Sequence, residues 1–168
     1  PQVYSALEAK VFPSFSSYPF RKVWVAGCSS GQEAYSLAVL LKHHDLLADT
    51  QIYGTDINMS AISVAQKGIY PNKQLEEGKN NLSRIKHKVT LAQHYSHQYD
   101  ACCFSRELRD SILFSHHNLV TDASFGEMNL IMCRNVLIYF DQALQNRVLG
   151  LFFESLCNGG YLCLGTKE

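Results

Sequence analysis

Three stretches of the chain hold residues whose types and spacing can do chemistry. The first is Ala26-Gly27-Cys28-Ser29-Ser30-Gly31-Gln32-Glu33. A run of small residues between a strand and a helix makes a tight turn and lets a ligand approach the backbone closely. The string approximates G-x-G-x-x-G, with Ser29 where the second glycine belongs. The second is Asp56, at the end of the next apolar run. An acid there can accept hydrogen bonds from both ribose hydroxyls of an adenosine. It lies 29 residues beyond Gly27, against the usual spacing of about 20. The third is Cys133-Arg134-Asn135-Val136-Leu137-Ile138-Tyr139-Phe140-Asp141, where Arg134, Asn135 and Tyr139 are polar residues set in an apolar run. Each stretch also has a bland reading: a tight turn with no ligand, a helix-capping Asp, and a polar cluster that satisfies loop backbone.

The loop discriminates between ligands. A dinucleotide needs the full glycine fingerprint and a helix N-terminus for its pyrophosphate. S-adenosylmethionine carries no phosphate and needs a tight turn for its amino-acid part and an acid for its ribose. The incomplete fingerprint favours S-adenosylmethionine over NAD.

Positioning these residues requires a sheet with its loops on one edge. Lys22–Ala26, Gln51–Thr55, Ser111–Ser115, Met128–Cys133 and Tyr161–Gly165 read as strands, most of them continuous apolar runs. Between them, Ala34, Leu37, Ala38 and Leu41 repeat at helical spacing. Asn58 or Ser60 can cap a helix to about Lys67, stopped by Gly68. Asp141 caps another, with Leu144, Val148, Phe152, Leu149, Phe153 and Leu156 on one broad apolar face and Asn158-Gly159-Gly160 as its end. Val3 to Val11 makes a short helix at the start. Alternating strands and helices predict an α/β fold, a mostly parallel sheet with helices on both faces. Ligands of such sheets bind at the carboxyl ends of the strands, where strand order reverses.

Residues 68–110 break the alternation. Basic side chains outnumber acidic ones there and periodicity is weak. A segment of that length inside one domain predicts an insertion with structure of its own.

Composition bounds the function. The 168 residues fit one domain with a sizeable core. Fifteen Lys and Arg balance fifteen Asp and Glu, which argues against coating nucleic acid. Apolar content of 46% at zero net charge argues against intrinsic disorder. No apolar run reaches the roughly 18–20 residues of a membrane span. The opening Pro1-Gln2-Val3-Tyr4 does not read as a signal peptide, and with no initiator Met it reads as part of a longer protein. None of the six cysteines forms a C-x-x-C pair, so reduced thiols and a cytoplasmic setting are expected. His94-x-x-His97, His116-His117 and Cys102-Cys103 lack zinc-knuckle spacing, so no metal is expected. His43-His44 is expected to face solvent, and Cys28 to pack as a small residue rather than act as a reactive thiol.

The ordered motifs carry a resemblance. Ala26 to Ala38 is similar to the AGCSxGxExYSxA signature of the chemotaxis-receptor methyltransferases, the CheR family. Thr55-Asp56-Ile57, Gly68-Ile69-Tyr70, His117-Asn118-Leu119, Cys133 to Asp141 and Gly159 to Gly165 also match, in family order. The match spans about residues 3–168, and the CRNVxIYF string is highly specific.

The resemblance implies a Rossmann-like methyltransferase domain that uses S-adenosylmethionine and releases S-adenosylhomocysteine. It implies O-methylation of glutamate side chains on a chemoreceptor or related signalling protein. Carried over residue by residue, Gly27, Cys28, Ser29, Glu33, Asp56, Ile57, Asn118, Leu119, Arg134 and Asn135 would bind the cofactor. Glu33 would meet its amino-acid end, Asp56 its ribose, and Asn118 and Leu119 its adenine. Arg134, Asn135 and Tyr139 would line the methyl-transfer end, with Tyr139 and Arg134 as catalytic residues. The family's N-terminal helical domain, its linker and its terminal hairpin have no counterpart within these residues, which leaves the whole chain as a single methyltransferase domain. Some members carry a small antiparallel subdomain at the place of the 68–110 insertion. Tyr95, Tyr99, Cys102, Cys103 and Phe104 could supply its strands, either to tether a receptor peptide or to flank the site. A non-catalytic signalling adaptor on the same fold is the competing reading, and cofactor binding separates the two.

Overall fold

The most apolar strands come to lie at the centre of the sheet. In the computed structural model, which describes residues 2–74, 93–98, 100–166 and 168, β1 (Arg21–Ala26) runs between β2 (Thr50–Asp56) and β7 (Met128–Cys133). All six residues of β7 are buried. The order is β6-β2-β1-β7-β8, with β6 (Ile112–His116) and β8 (Leu156–Leu164) at the edges and all pairings parallel. The chain builds outward from β1 to β2 and β6, then returns to lay β7 on the other side of β1. The strand order therefore reverses between β1 and β7, and their two following loops open beside one another.

Helices cover both faces, as continuous apolar strands require. α1 (Gln2–Ala6) runs through a π-helical turn (Leu7–Val11) into α2 (Phe12–Phe15), so the predicted Val3–Val11 helix is longer and interrupted. Pro13 sits at the start of α2, immediately after the π-helical turn. The buried Arg21 guanidinium ties this segment to the sheet through the carbonyls of Phe15, Tyr18 and Leu46 and the Thr50 hydroxyl. α3 (Gln32–His43) buries Leu37 and Leu41 along with Tyr35 and Leu40. His44 does not simply face solvent: it meets the Glu8 carboxylate at 2.8 Å and the edge of Phe12.

α4 (Met59–Lys67) is capped by Asn58, whose Oδ1 accepts the amides of Ser60 and Ala61, and it ends at Gly68. β3 (Ile69–Pro71), β4 (Tyr95–Gln98) and β5 (Ala101–Phe104) form a separate antiparallel sheet in the order β3-β5-β4. Tyr95, Cys102, Cys103 and Phe104 lie in it. Tyr99 and the basic run Lys79, Arg84, Lys86 and Lys88 fall outside the described residues. α5 (Arg106–Asp110) leads back into β6.

α6 (Gln142–Ser155) starts at Asp141, whose Oδ1 accepts the Leu144 amide at 2.9 Å. It ends at Ser155 rather than at Asn158-Gly159-Gly160. Those residues belong to β8, which pairs with β7 across an irregular register. The apolar face is also narrower than expected. Val148, Phe152 and Ser155 are buried at i, i+4 and i+7, while Phe153 lies one residue off that stripe and is 82% exposed.

Candidate functional site

The turn after β1 is held by backbone geometry that few residue types allow. Gly27 has a φ of +70°, and a Cβ there would lie 2.3 Å from the Val136 Cγ2. Ser29 follows with a φ of +50° and Gly31 with +90°. The turn's amides are spent on β2: Cys28 donates to the Thr55 carbonyl at 2.8 Å and Ser29 to Asp56 Oδ2 at 2.8 Å. Asp56 Oδ1 takes the Asn58 amide at 2.9 Å. Each carboxylate oxygen thus fixes one backbone amide and keeps a second lone pair for a ligand.

A cavity of about 590 Å³ opens beside this turn at the carboxyl edge of the sheet. Gly27, Ser29, Asp56 and Ile57 form one wall, Asn118 and Leu119 a second, and Arg134, Asn135 and Tyr139 a third. Two of the candidate residues stand off its surface. Cys28 is buried beneath the turn, and burial, with Asp56 nearby, pushes its thiol up to about 12. It fills space there instead of acting as a thiolate. Glu33, at the start of α3, forms an ion pair with the Arg134 Nη1, and both side chains are half-buried. Burial raises the Glu33 carboxyl above its ordinary range, and the Arg134 guanidinium opposes that. The Arg134 Nε is buried with no protein acceptor among the described residues.

The 117–122 loop is organised by its own polar groups. Asn118 Oδ1 accepts the Val120 amide at 2.9 Å. Asp122 Oδ2 accepts the Asn118 amide at 2.8 Å, while the amides of Thr121 and Asp122 return to the Asn118 carbonyl. The His117 amide donates to the Asp56 carbonyl at 3.1 Å. Among the described residues, the Leu119 amide is the one in this loop without an acceptor. A donor left open on an otherwise closed loop beside a cavity suits a ring nitrogen of a heterocycle.

Sequence reasoning missed several wall residues: His117, Val120, Thr121, Val136 and Phe140. His117 was legible only as part of a motif and as a weak metal candidate. Its ring is buried against Trp24 and Phe125, and its Nε2 meets the Ala123 carbonyl at 3.1 Å. Val136 had an indirect signal in Gly27, since its methyl occupies the space a Cβ would need. Among the described residues no group of His, Cys, Asp and Glu is placed to hold a metal ion. No helix there is long and apolar enough to cross a membrane.

This arrangement fits a nucleoside with a charged tail. An acid with open lone pairs faces the cavity, an open amide lies on its second wall, and an acid–guanidinium pair borders the third. Similar proteins point the same way. The family described as CheR methyltransferase, SAM binding domain, matches residues 2–168. A Pseudomonas putida protein named "Putative methyltransferase Cher3" is 44% identical over 168 residues, covering 100% of this chain and 62% of its own. A chemotaxis protein methyltransferase of Listeria monocytogenes is 35% identical over 173 residues, covering 98% of this chain and 61% of its own. The chain therefore spans about three-fifths of the length of these relatives. Among solved structures, the glycopeptide N-methyltransferase MtfA complexed with sinefungin superposes with a TM-score of 0.55 at 13% identity, covering 95% of this chain and 49% of that one. At that identity the likeness is one of fold, the Rossmann-like fold of S-adenosylmethionine-dependent methyltransferases.

Proposed function

The chain belongs to the CheR methyltransferase family, as its SAM-binding domain, and from that premise we propose that the protein O-methylates glutamate side chains of a chemoreceptor or related signalling protein. The observation that carries this reading is the cavity at the β1–β7 reversal, lined by Asp56, Leu119 and Arg134, with Glu33 paired to Arg134 behind its wall.

S-adenosylmethionine supplies an activated methyl group when bound. Asp56 would take the ribose hydroxyls, Asn118 and Leu119 the adenine, and Glu33 with Arg134 the amino-acid end. A glutamate side chain has an ordinary pKa near 4.3 and is already ionised at neutral pH. No base is therefore required of Arg134, Asn135 or Tyr139. Their work is to align the incoming carboxylate and to exclude water. Tyr139 suits the first task, because it is 79% exposed at the cavity mouth and can reach a docked chain. Carboxylate and sulfonium charges disappear together in such a transfer, so a drier site does not oppose it. The substrate would be the cytoplasmic region of the receptor.

The test is transfer of labelled methyl from S-adenosylmethionine to a receptor signalling region. An alkali-labile product identifies a carboxyl methyl ester, and peptide mass spectrometry that places it on a glutamate supports the assignment. An alkali-stable product contradicts the glutamate assignment. Cofactor binding with no transfer to any receptor region supports the adaptor reading instead.

A further inference from the structure

The Gly68-Ile69-Tyr70 string has no role in the site as described. The structure places its tyrosine against the cofactor turn. Tyr70 lies in β3 of the three-stranded sheet, is 1% exposed, and its hydroxyl donates to the Ser30 carbonyl at 2.5 Å. The other bonds of the turn lead elsewhere: Cys28 and Ser29 to the end of β2, and Gly31 to the Cys28 carbonyl and the first turn of α3. The turn is therefore clamped from two sides, by Asp56 of the main sheet and by Tyr70 of the small one. Gly31 makes room for the second clamp. At its φ of +90°, a Cβ would lie 3.1 Å from the Tyr70 hydroxyl and 2.8 Å from Ala65. Aromatic packing makes the small sheet a firm support. Phe104 of β5 stacks on Tyr35 of α3 at 4.3 Å and meets Tyr70 edge-on at 5.8 Å.

We propose that Tyr70 is a positioning residue for the cofactor, and that its bond to Ser30 couples the three-stranded sheet to the S-adenosylmethionine site. This rests on the cofactor reading above. The bond fixes the Ser30 carbonyl, and through it the left-handed Ser29 that meets Asp56 on the cavity wall. Burial pushes the Tyr70 phenol far above its ordinary range, so it stays a neutral donor at physiological pH. Coupling of this kind is reciprocal: whatever orders the turn also steadies the sheet, and a partner on the sheet alters cofactor affinity.

The test combines S-adenosylhomocysteine titration with hydrogen exchange on the unmodified protein and on Tyr70→Phe. In Tyr70→Phe the turn keeps only its Asp56 clamp, and S-adenosylhomocysteine affinity is expected to fall about tenfold, the equivalent of one hydrogen bond. In the unmodified protein, S-adenosylhomocysteine slows exchange in peptides spanning β3 and β5. In Tyr70→Phe that protection is confined to the β1–α3 turn and the cavity walls. Equal affinity in both proteins, or no ligand-dependent protection of β3 and β5 in the unmodified protein, overturns the proposal. If Tyr70→Phe does not fold, the exchange result on the unmodified protein decides alone. Absence of any binding by the unmodified protein removes the cofactor premise itself, and is distinguishable because it appears in the titration before any variant is compared.

Discussion

Asp56 Oδ2 accepts the amide of Ser29 at 2.8 Å, joining the end of β2 to a turn 27 residues earlier in the chain. The acid expected to hold a ribose is thus also the acid that shapes the neighbouring turn. A single carboxylate sets the geometry of the turn and offers its remaining lone pairs to the cavity. Loss of its charge should be felt by the ligand and by the loop together.

The contact between Gly27 and Val136 sets a steric prediction. Gly27→Ala places a methyl 2.3 Å from the Val136 Cγ2 in a left-handed conformation. The conformation costs about 1–2 kcal/mol and overpacking about 1–3 kcal/mol more. Denaturant unfolding should show their sum. In Gly27→Ala/Val136→Ala the clash is gone, and only the conformational part of the Gly27 change remains beside the cost of truncating Val136, so the double variant should lose less than the two single variants added together. Strict additivity would contradict the contact.

Glu33 supplies a pH prediction. Burial raises its carboxyl in the folded protein, so the folded state binds the proton more tightly than the unfolded chain does. Its contribution to stability is therefore full below the ordinary glutamate range and is lost as pH rises through the raised value. Glu33→Gln has no proton to lose. The stability of Glu33→Gln relative to the unmodified protein should rise with pH across the mildly acidic range, measured by urea unfolding at a series of pH values. A falling difference would mean that Arg134 outweighs burial.

Much of the fold was legible because burial on both faces writes long apolar runs. Met128–Cys133 and the Trp24 run read as strands for that reason, and the structure puts both at the centre of the sheet. Asp56 and Asp141 were legible because polar residues at the ends of such runs have few other uses, while the next cap stayed open between Asn58 and Ser60 until the structure assigned it to Asn58. Other features depend on partners far away in sequence. The end of α6 at Ser155 is set by the pairing of β8 with β7, which overrides the stop signal of Gly159-Gly160. The pairing of Glu33 with Arg134 spans 101 residues and has no local trace. The open Leu119 amide belongs to the backbone, where residue type says nothing.

Tyr139 gives a prediction for turnover. Its ring is exposed at the cavity mouth, so Tyr139→Phe should leave the fold and S-adenosylhomocysteine affinity within about twofold. If the hydroxyl aligns the carboxylate, methyl transfer should slow about tenfold, the loss of one hydrogen bond made in the transition state. Unchanged turnover would exclude a role for the hydroxyl and leave the ring as a wall.

Titration of S-adenosylhomocysteine into the protein by calorimetry, beside Asp56→Ala, tests the central claim most directly. Micromolar binding is predicted, weakened about 100-fold or more in the variant, because two charge-assisted hydrogen bonds to the ribose are lost at about 1.5–3 kcal/mol each. No binding by the unmodified protein, or equal binding by both, would contradict the assignment of this cavity to the cofactor.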